Sequence, residues 1–91
     1  MTLTLTIKKE WFDKIKSGEK TIEYREMKPY WDARLRKPFD TIIFKNGYGK
    51  NVPMLIADFT GLGTTYGMKT DLKIDKKVYA IHFVNARAYF A

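Results

Sequence analysis

The sequence contains no cysteine and a single histidine, His82, among its 91 residues. The absence of cysteine excludes disulfides. Structural and catalytic zinc sites are built from several cysteine or histidine ligands, so one histidine argues strongly against such a site. We therefore expect neither a bound metal nor a cofactor.

Serine is almost as scarce, since Ser17 is the only one. It lies at the predicted end of a helix, directly before Gly18, with no histidine partner in view. A serine hydrolase triad is therefore poorly supported. The segment Gly47-Tyr48-Gly49-Lys50 lacks the spacing and the final Ser or Thr of a phosphate-binding loop, and we interpret it as a hairpin turn.

Long apolar runs are also missing, and none approaches the roughly 20 residues that are needed to cross a bilayer. The N-terminal segment alternates polar and apolar residues, which is not the layout of a signal peptide. Together with the lack of cysteine, these features predict a cytoplasmic protein with no membrane partner. We expect a monomer.

Positive charge is in clear excess. The sequence has 17 Lys and Arg residues against 10 Asp and Glu residues, which gives a formal net charge of +7. Such a domain is attracted to polyanions, nucleic acid first among them. The densest basic cluster is Arg34, Arg36 and Lys37. It predicts either a track for a phosphate backbone or an ordinary solvated helix face.

The hydrophobic pattern changes between the two-residue period of strands and the longer period of helices. Strands are predicted over 2–7, 20–25, 39–45, 52–60 and 77–87. Helices are predicted over 8–17 and 30–36, and the segment 61–72, rich in Gly and Thr, is interpreted as a loop. Several short strands with two helices near the start predict an α+β fold with a strongly curved or closed sheet. We treat residues 1–91 as one domain.

The segment from Gly18 to Arg25 carries the most chemistry. In a regular strand Glu23 and Arg25 share one face with Thr21, while Ile22 and Tyr24 share the other. We expect the apolar pair to enter the core and the polar face to meet solvent or a cavity. Lys20 can meet Glu23 only if it still belongs to the turn after Gly18. The alternative is an exposed strand face with a surface charge pair, which contributes little to stability.

Gly18, Lys20, Glu23 and Arg25 match the pattern G-x-K-x-x-E-x-R of the ASCH domain at each specified position. The preceding Trp-Phe-Asp-x-Ile-x-Ser-Gly segment and the Tyr-Ala-Ile-His-Phe segment at 79–83 also resemble that family. The resemblance implies a small bacterial or phage protein with a PUA-like β-barrel. In such a barrel a curved, largely closed, mixed or antiparallel sheet carries two short helices, and the motif lines a cleft beside the first helix. It also implies binding of RNA or of a nucleotide- or nucleoside-like ligand.

These implied roles have a physical basis. The guanidinium of Arg25 offers a planar fork of donors for a phosphate or a base edge. Glu23 can orient Arg25 or accept hydrogen bonds from amino and hydroxyl groups, Lys20 adds a mobile positive charge, and Gly18 permits the tight turn. Further RNA contacts are expected from aromatic rings that stack on bases, unless they pack in the core, and from the basic cluster: Tyr24, Tyr30, Trp31, Arg34, Arg36 and Lys37.

A second hypothesis is enzymatic. Some small ASCH proteins resemble hydrolases of N4-acetylcytidine that use a Lys-Thr-Glu arrangement. Lys20 matches that lysine, but Glu23 stands where the threonine is expected, and no glutamate follows Glu26. The candidate catalytic set would be Lys20, Thr21 and Glu23, with Asp58 as the acid partner. A weak ribonuclease with His82 or Lys20 as base is the third hypothesis. The departures from the hydrolase pattern favour a binding protein over an enzyme.

Overall fold

The computed structural model describes residues 1–90. In that part of the chain, a five-stranded sheet is combined with two α-helices and a short 3-10 helix, Gly67–Lys69. The strands are β1 (Thr2–Ile7), β2 (Ile22–Glu26), β3 (Thr41–Asn46), β4 (Met54–Tyr66) and β5 (Lys77–Ala88). The helices are α1 (Lys9–Lys16) and α2 (Pro29–Arg36). The predicted α+β fold class is therefore confirmed.

The order of strands in the sheet is β1-β3-β4-β5-β2. β1 runs parallel to β3, and the other three neighbouring pairs are antiparallel, so the sheet is mixed. β1 and β2 are its two edges. No ladder of backbone hydrogen bonds joins these edges within residues 1–90, so the sheet is not closed and the expected barrel is not confirmed.

Side chains bridge the two edges instead. Arg25 of β2 donates from Nη2 to the backbone oxygen of Thr6 at 3.3 Å. Arg34 of α2 donates from Nη2 to the backbone oxygen of Thr4 at 2.9 Å. An edge strand presents unpaired backbone groups, and here two guanidinium groups satisfy two carbonyls of β1 that a closed barrel would pair with another strand. The space between the edges remains open as a cleft.

The predicted loop 61–72 is wrong in its first half, because β4 continues to Tyr66. Gly61 and Gly63 have low strand propensity, but they pair with His82 and Ala80 of β5. Pairing with a long neighbouring strand therefore outweighs the local composition. The chain turns at Gly67, where a Cβ atom would lie 2.5 Å from the backbone oxygen of Ile74.

The core lies between the sheet and α1. Phe12 and Ile15 of α1 are 4% and 1% exposed, as the helical pattern predicts, and they join a cluster with Leu5, Ile42 and Phe44. Trp11, one turn before Ile15, is partly buried against the edge of this cluster. The helix thereby presents Trp11 to the cleft while its other apolar side chains are fixed in the core.

Candidate functional site

The end of α1 positions the first part of the motif. Gly18 has a φ of +87°, in the left-handed region that favours glycine, and its N–H donates to the Ile15 oxygen. The N–H of Lys20 then donates to the oxygen of Lys14 at 3.0 Å. Lys20 therefore belongs to the turn and not to β2. Its side chain therefore does not follow the alternation of faces along the strand, and it reaches Glu23.

The register of β2 on β5 determines which side of the strand is buried. Glu23 pairs with Ile81 and Arg25 pairs with Tyr79, so both lie on the face of the fully buried Ile81. Glu23 is only 6% exposed as a result. The expectation that Ile22 and Tyr24 enter the core is wrong. They lie on the opposite face and are half-buried.

Four charged side chains form what we name the buried charge cluster: Lys20, Glu23, Arg25 and Asp71. The Lys20 Nζ lies 2.6 Å from Oδ2 of Asp71 and 3.5 Å from Oε1 of Glu23. Oε2 of Glu23 accepts from Nε and Nη2 of Arg25 at 3.0 and 2.6 Å. All four side chains are less than one-fifth exposed. Two positive and two negative charges therefore balance within the cluster.

Aromatic rings surround the two cations of this cluster. The Lys20 Nζ lies 5.0 Å from the ring centroid of Tyr24 and 5.5 Å from that of Trp11. The Arg25 guanidinium lies 4.8 Å from the ring centroid of Trp31. Cations at such distances are attracted to the negative face of the ring, so these contacts hold the charges in place and orient the rings.

The cleft has a volume of about 480 Å³ and lies between the edges of the sheet. β1 contributes Thr6 and Ile7, and α1 contributes Trp11. β2 lines it from Glu23 to Glu26, and Trp31 of α2 lies beside them. A neighbouring depression of about 290 Å³ contains Lys20 and shares Trp11, Tyr24 and Asp71 with the cleft. Gly18 lines neither of them, but it lies with Lys20 and Thr21 in a third depression of about 270 Å³.

No pattern in the sequence indicates Asp71 as a site residue. It lies 51 positions after Lys20, and no spacing in the sequence connects the two. The loop that carries it is fixed by Thr70, which is 4% exposed and donates from Oγ1 to the Gly67 oxygen. Asp71 and Leu72 then close one side of the cleft. Only the folding of this loop onto β2 brings the carboxylate to Lys20.

The proposed acid partner of the hydrolase hypothesis lies elsewhere. Asp58 is on β4, and its carboxylate accepts from Asn85 and Arg87. These hydrogen bonds lower the pKa of Asp58. Asp58 lines neither depression, whereas Asp71 contacts the lysine. Thr21 is exposed and lines the smaller depression together with Lys20 and Asp71, but within residues 1–90 no hydrogen bond joins its hydroxyl to Lys20.

The remaining predicted site residues divide into two groups. Trp31 is half-buried, and Arg34 is held by the Thr4 oxygen and by the hydroxyl of Tyr30. Tyr30 is 61% exposed, and Arg36 and Lys37 are exposed.

His82 is exposed on the face of β5 opposite to Glu23, because it pairs with Ile22. The ribonuclease hypothesis therefore has no histidine beside the cleft.

One hydrogen bond connects α2 to β5. The hydroxyl of Tyr79 donates to Asp32, and this bond raises the pKa of Tyr79 above its ordinary value of 10.0. A raised pKa means that the bond stabilises the fold below pH 10. This contribution is lost as the pH rises through the pKa that Tyr79 has in the folded state.

Replacement of Tyr79 by phenylalanine tests this dependence. Wild type should lose more of its thermal stability than Tyr79→Phe between about pH 9 and about pH 11, because only wild type has this hydroxyl to ionise. Melting temperatures across that range provide the measurement. The control is Tyr48→Phe, since Tyr48 is 90% exposed. If both variants followed the wild-type pH profile, the Asp32 bond would not contribute.

Within residues 1–90, no three His, Asp or Glu side chains converge in a way that could hold a metal ion. In the same part of the chain, no helix combines the length and the apolar character that spanning a bilayer requires.

Comparison with known proteins identifies one family. A model of the ASCH domain matches residues 5–89, which is nearly the whole chain. No curated protein and no solved structure matches the chain significantly. The matched range includes the second half of β1, the other four strands, both helices and the buried charge cluster. The chain therefore belongs to the ASCH domain family.

Proposed function

We propose that this domain binds RNA, or a nucleotide- or nucleoside-like ligand, in the cleft between β1 and β2. Membership of the ASCH family is compatible with RNA binding. One observation carries the proposal. Aromatic rings and charged side chains that are already paired with one another surround a cleft of about 480 Å³. Pockets that bind small ligands typically join apolar walls with a few positioned polar groups.

The aromatic side chains supply the stacking surface. Trp11, Tyr24 and Trp31 all line the cleft. Stacking of a base on an aromatic ring contributes about 1–3 kcal/mol and is possible for every base. The cation contacts of Tyr24 and Trp31 restrict their motion before any ligand arrives, which reduces the entropy lost on binding.

The charged side chains supply hydrogen bonds. Arg25 uses Nε and Nη2 for Glu23 and the Thr6 oxygen, and within residues 1–90 its Nη1 donates no hydrogen bond. Nη1 is therefore available to an acceptor on the ligand. Glu23 keeps acceptor capacity at Oε1, which is 3.5 Å from Lys20. In this proposal Lys20, Glu23 and Arg25 are ligand-binding residues, and Gly18 fixes the turn that presents Lys20.

A longer RNA would extend from the cleft along α2. Tyr30, Arg36 and Lys37 are exposed there and can meet bases or phosphates. Arg34 contributes less in this proposal, because its guanidinium is already held by the fold. The same geometry favours a binder over an amide hydrolase, since such a hydrolase requires a nucleophile hydrogen-bonded to its base, and Lys20 donates to Asp71 and not to the hydroxyl of Thr21.

A thermal-shift panel of nucleosides, nucleotides and short RNAs tests the proposal. A ligand at one hundred times its Kd should stabilise the folded state by about 2.7 kcal/mol. That corresponds to about 10–20 °C for a domain of this size. Trp11→Leu should lose most of the shift, because it removes a stacking surface. The matched control Tyr48→Leu removes an exposed ring outside the cleft and should keep it.

The outcomes separate the hypotheses. Equal shifts in Trp11→Leu and Tyr48→Leu would place the ligand outside the cleft. N4-acetylcytidine belongs in the panel, and chromatography after incubation with excess protein should detect no released cytidine. Cytidine release that disappears in Lys20→Ala would instead identify the domain as the hydrolase.

A further inference from the structure

We infer that the cleft receives the uncharged base of a nucleotide and leaves its phosphate outside, at a lysine-rich rim. This inference rests on the proposed function and specifies which part of the ligand enters. It follows from where the charges are buried and where they are exposed.

The interior offers no net charge to a phosphate. Lys20 is already paired with Asp71, and Arg25 with Glu23, all four being less than one-fifth exposed. A phosphate monoester carries about −1.5 to −2 charges at neutral pH. Inside the cleft it would lie beside two carboxylates, and the free donor Nη1 of Arg25 offers no uncompensated positive charge, because that guanidinium is already paired with Glu23. Burial of uncompensated charge is strongly unfavourable, so the interior rejects this group.

A nucleobase meets the same interior without that penalty. It is planar and uncharged, and its donors and acceptors lie along its edge. Trp11, Tyr24 and Trp31 offer surfaces for its faces. Nη1 of Arg25 can donate to an acceptor on its edge, and Oε1 of Glu23 can accept from a donor. The ion pairs of the buried charge cluster stay intact when a base binds.

The rim has the opposite character. Lys8 and Lys28 line the mouth of the cleft and are exposed. Lys28 shares the carboxylate of Glu26 with Lys76, at 3.3 and 3.4 Å. Glu10 also lines the mouth, so two lysines and two glutamates line it. Lys76 does not line the cleft, but it contacts Glu26 and adds one positive charge beside the mouth. A phosphate at this rim stays hydrated and is attracted by charges that salt screens.

Calorimetry with four ribonucleosides, their 5′-monophosphates and inorganic phosphate tests the inference. At least one nucleoside should bind wild type. Its 5′-monophosphate should bind about 3–10-fold more tightly at low salt and nearly equally at about 0.5 M salt, because the rim contribution is screened. Inorganic phosphate should not compete with the nucleoside at millimolar concentration.

Two variants test the two regions separately. Lys8→Ala combined with Lys28→Ala should bring the affinity ratio of monophosphate to nucleoside at low salt close to one. The control double variant Lys45→Ala, Lys50→Ala changes the same charge outside both depressions and should keep the wild-type ratio. Asp71→Asn gives the buried charge cluster a net positive charge, so it should increase the ratio above that of wild type. Its melting temperature in the absence of ligand verifies that it folds.

Failure of the inference differs from failure of the proposed function. Binding of monophosphates and inorganic phosphate without any binding of nucleosides would overturn the inference and leave nucleotide binding standing. An unchanged ratio in the Lys8 and Lys28 double variant would overturn the rim assignment. If no nucleoside, nucleotide or RNA bound, the proposed function would fail, and the inference with it.

Discussion

Glu23→Ala should lower the free energy of unfolding by about 3 kcal/mol, because it leaves two buried cations with too few partners. Glu23 is 6% exposed and contacts both Lys20 and Arg25. Removal of one partner from a buried ion pair typically costs about 3–5 kcal/mol. The low end applies here, since Lys20 keeps Asp71 and Arg25 is 19% exposed. Urea denaturation gives the free energy, and the melting temperature should fall by about 12 °C or more.

The matched control is Glu19→Ala, which removes the same side chain four positions earlier. The side chain of Glu19 is 66% exposed, and its carboxylate lies 3.7 Å from Lys14. An exposed pair of this kind contributes about 0–1 kcal/mol, so the control should stay close to wild type. Equal losses in the two variants would mean that the buried charge cluster does not depend on Glu23. Ligand binding by Glu23→Ala should be measured below its melting temperature, so that lost affinity is not confused with unfolding.

Phe44→Ala should destabilise the domain by about 3–5 kcal/mol, the usual cost of removing a buried phenylalanine side chain. Phe44 is fully buried, lies between Leu5 and Leu55 on the neighbouring strands, and has its ring 4.9 Å from that of Phe83. A 91-residue domain has a total stability of about 5–14 kcal/mol. The variant would therefore lose a large share of its stability, and it should unfold at a much lower urea concentration than wild type.

Tyr48→Ala is the control for this second variant. Tyr48 is 90% exposed in the turn between β3 and β4, so its removal takes away an aromatic side chain without opening a cavity. Its free energy of unfolding should stay within about 0.5 kcal/mol of wild type. A loss below about 1 kcal/mol in Phe44→Ala would show that the core closes around the missing ring more completely than close packing allows.

Several features of the fold could be predicted because local physics determines them. The alternation over 2–7 predicts β1, and the helical spacing of Phe12 and Ile15 predicts the buried face of α1. Gly18 predicts the left-handed end of that helix. The sequence therefore left two arrangements for Lys20, in the turn after Gly18 or in the strand. Only the first of them places Lys20 next to Glu23.

Other features depend on partners that are distant in the sequence. The contact between Lys20 and Asp71 joins residues 51 positions apart, and no local pattern records it. The extension of β4 through Gly61 and Gly63 depends on the length of β5. The hydrogen bonds of Arg25 and Arg34 to the carbonyls of β1 likewise join elements that are distant in the sequence.

The sequence by itself determined most of the helices and strands, the turn at Gly18 and the motif that relates the chain to its family, because each depends on neighbours within a few residues. Only the tertiary structure decided that Glu23 and Arg25 face the buried side, that Asp71 completes the charge cluster, and that a cleft remains between β1 and β2. The physical reason is that register, charge pairing and sheet closure are set by contacts between separate elements. A strand whose two faces both carry apolar or long side chains does not specify which face will be covered.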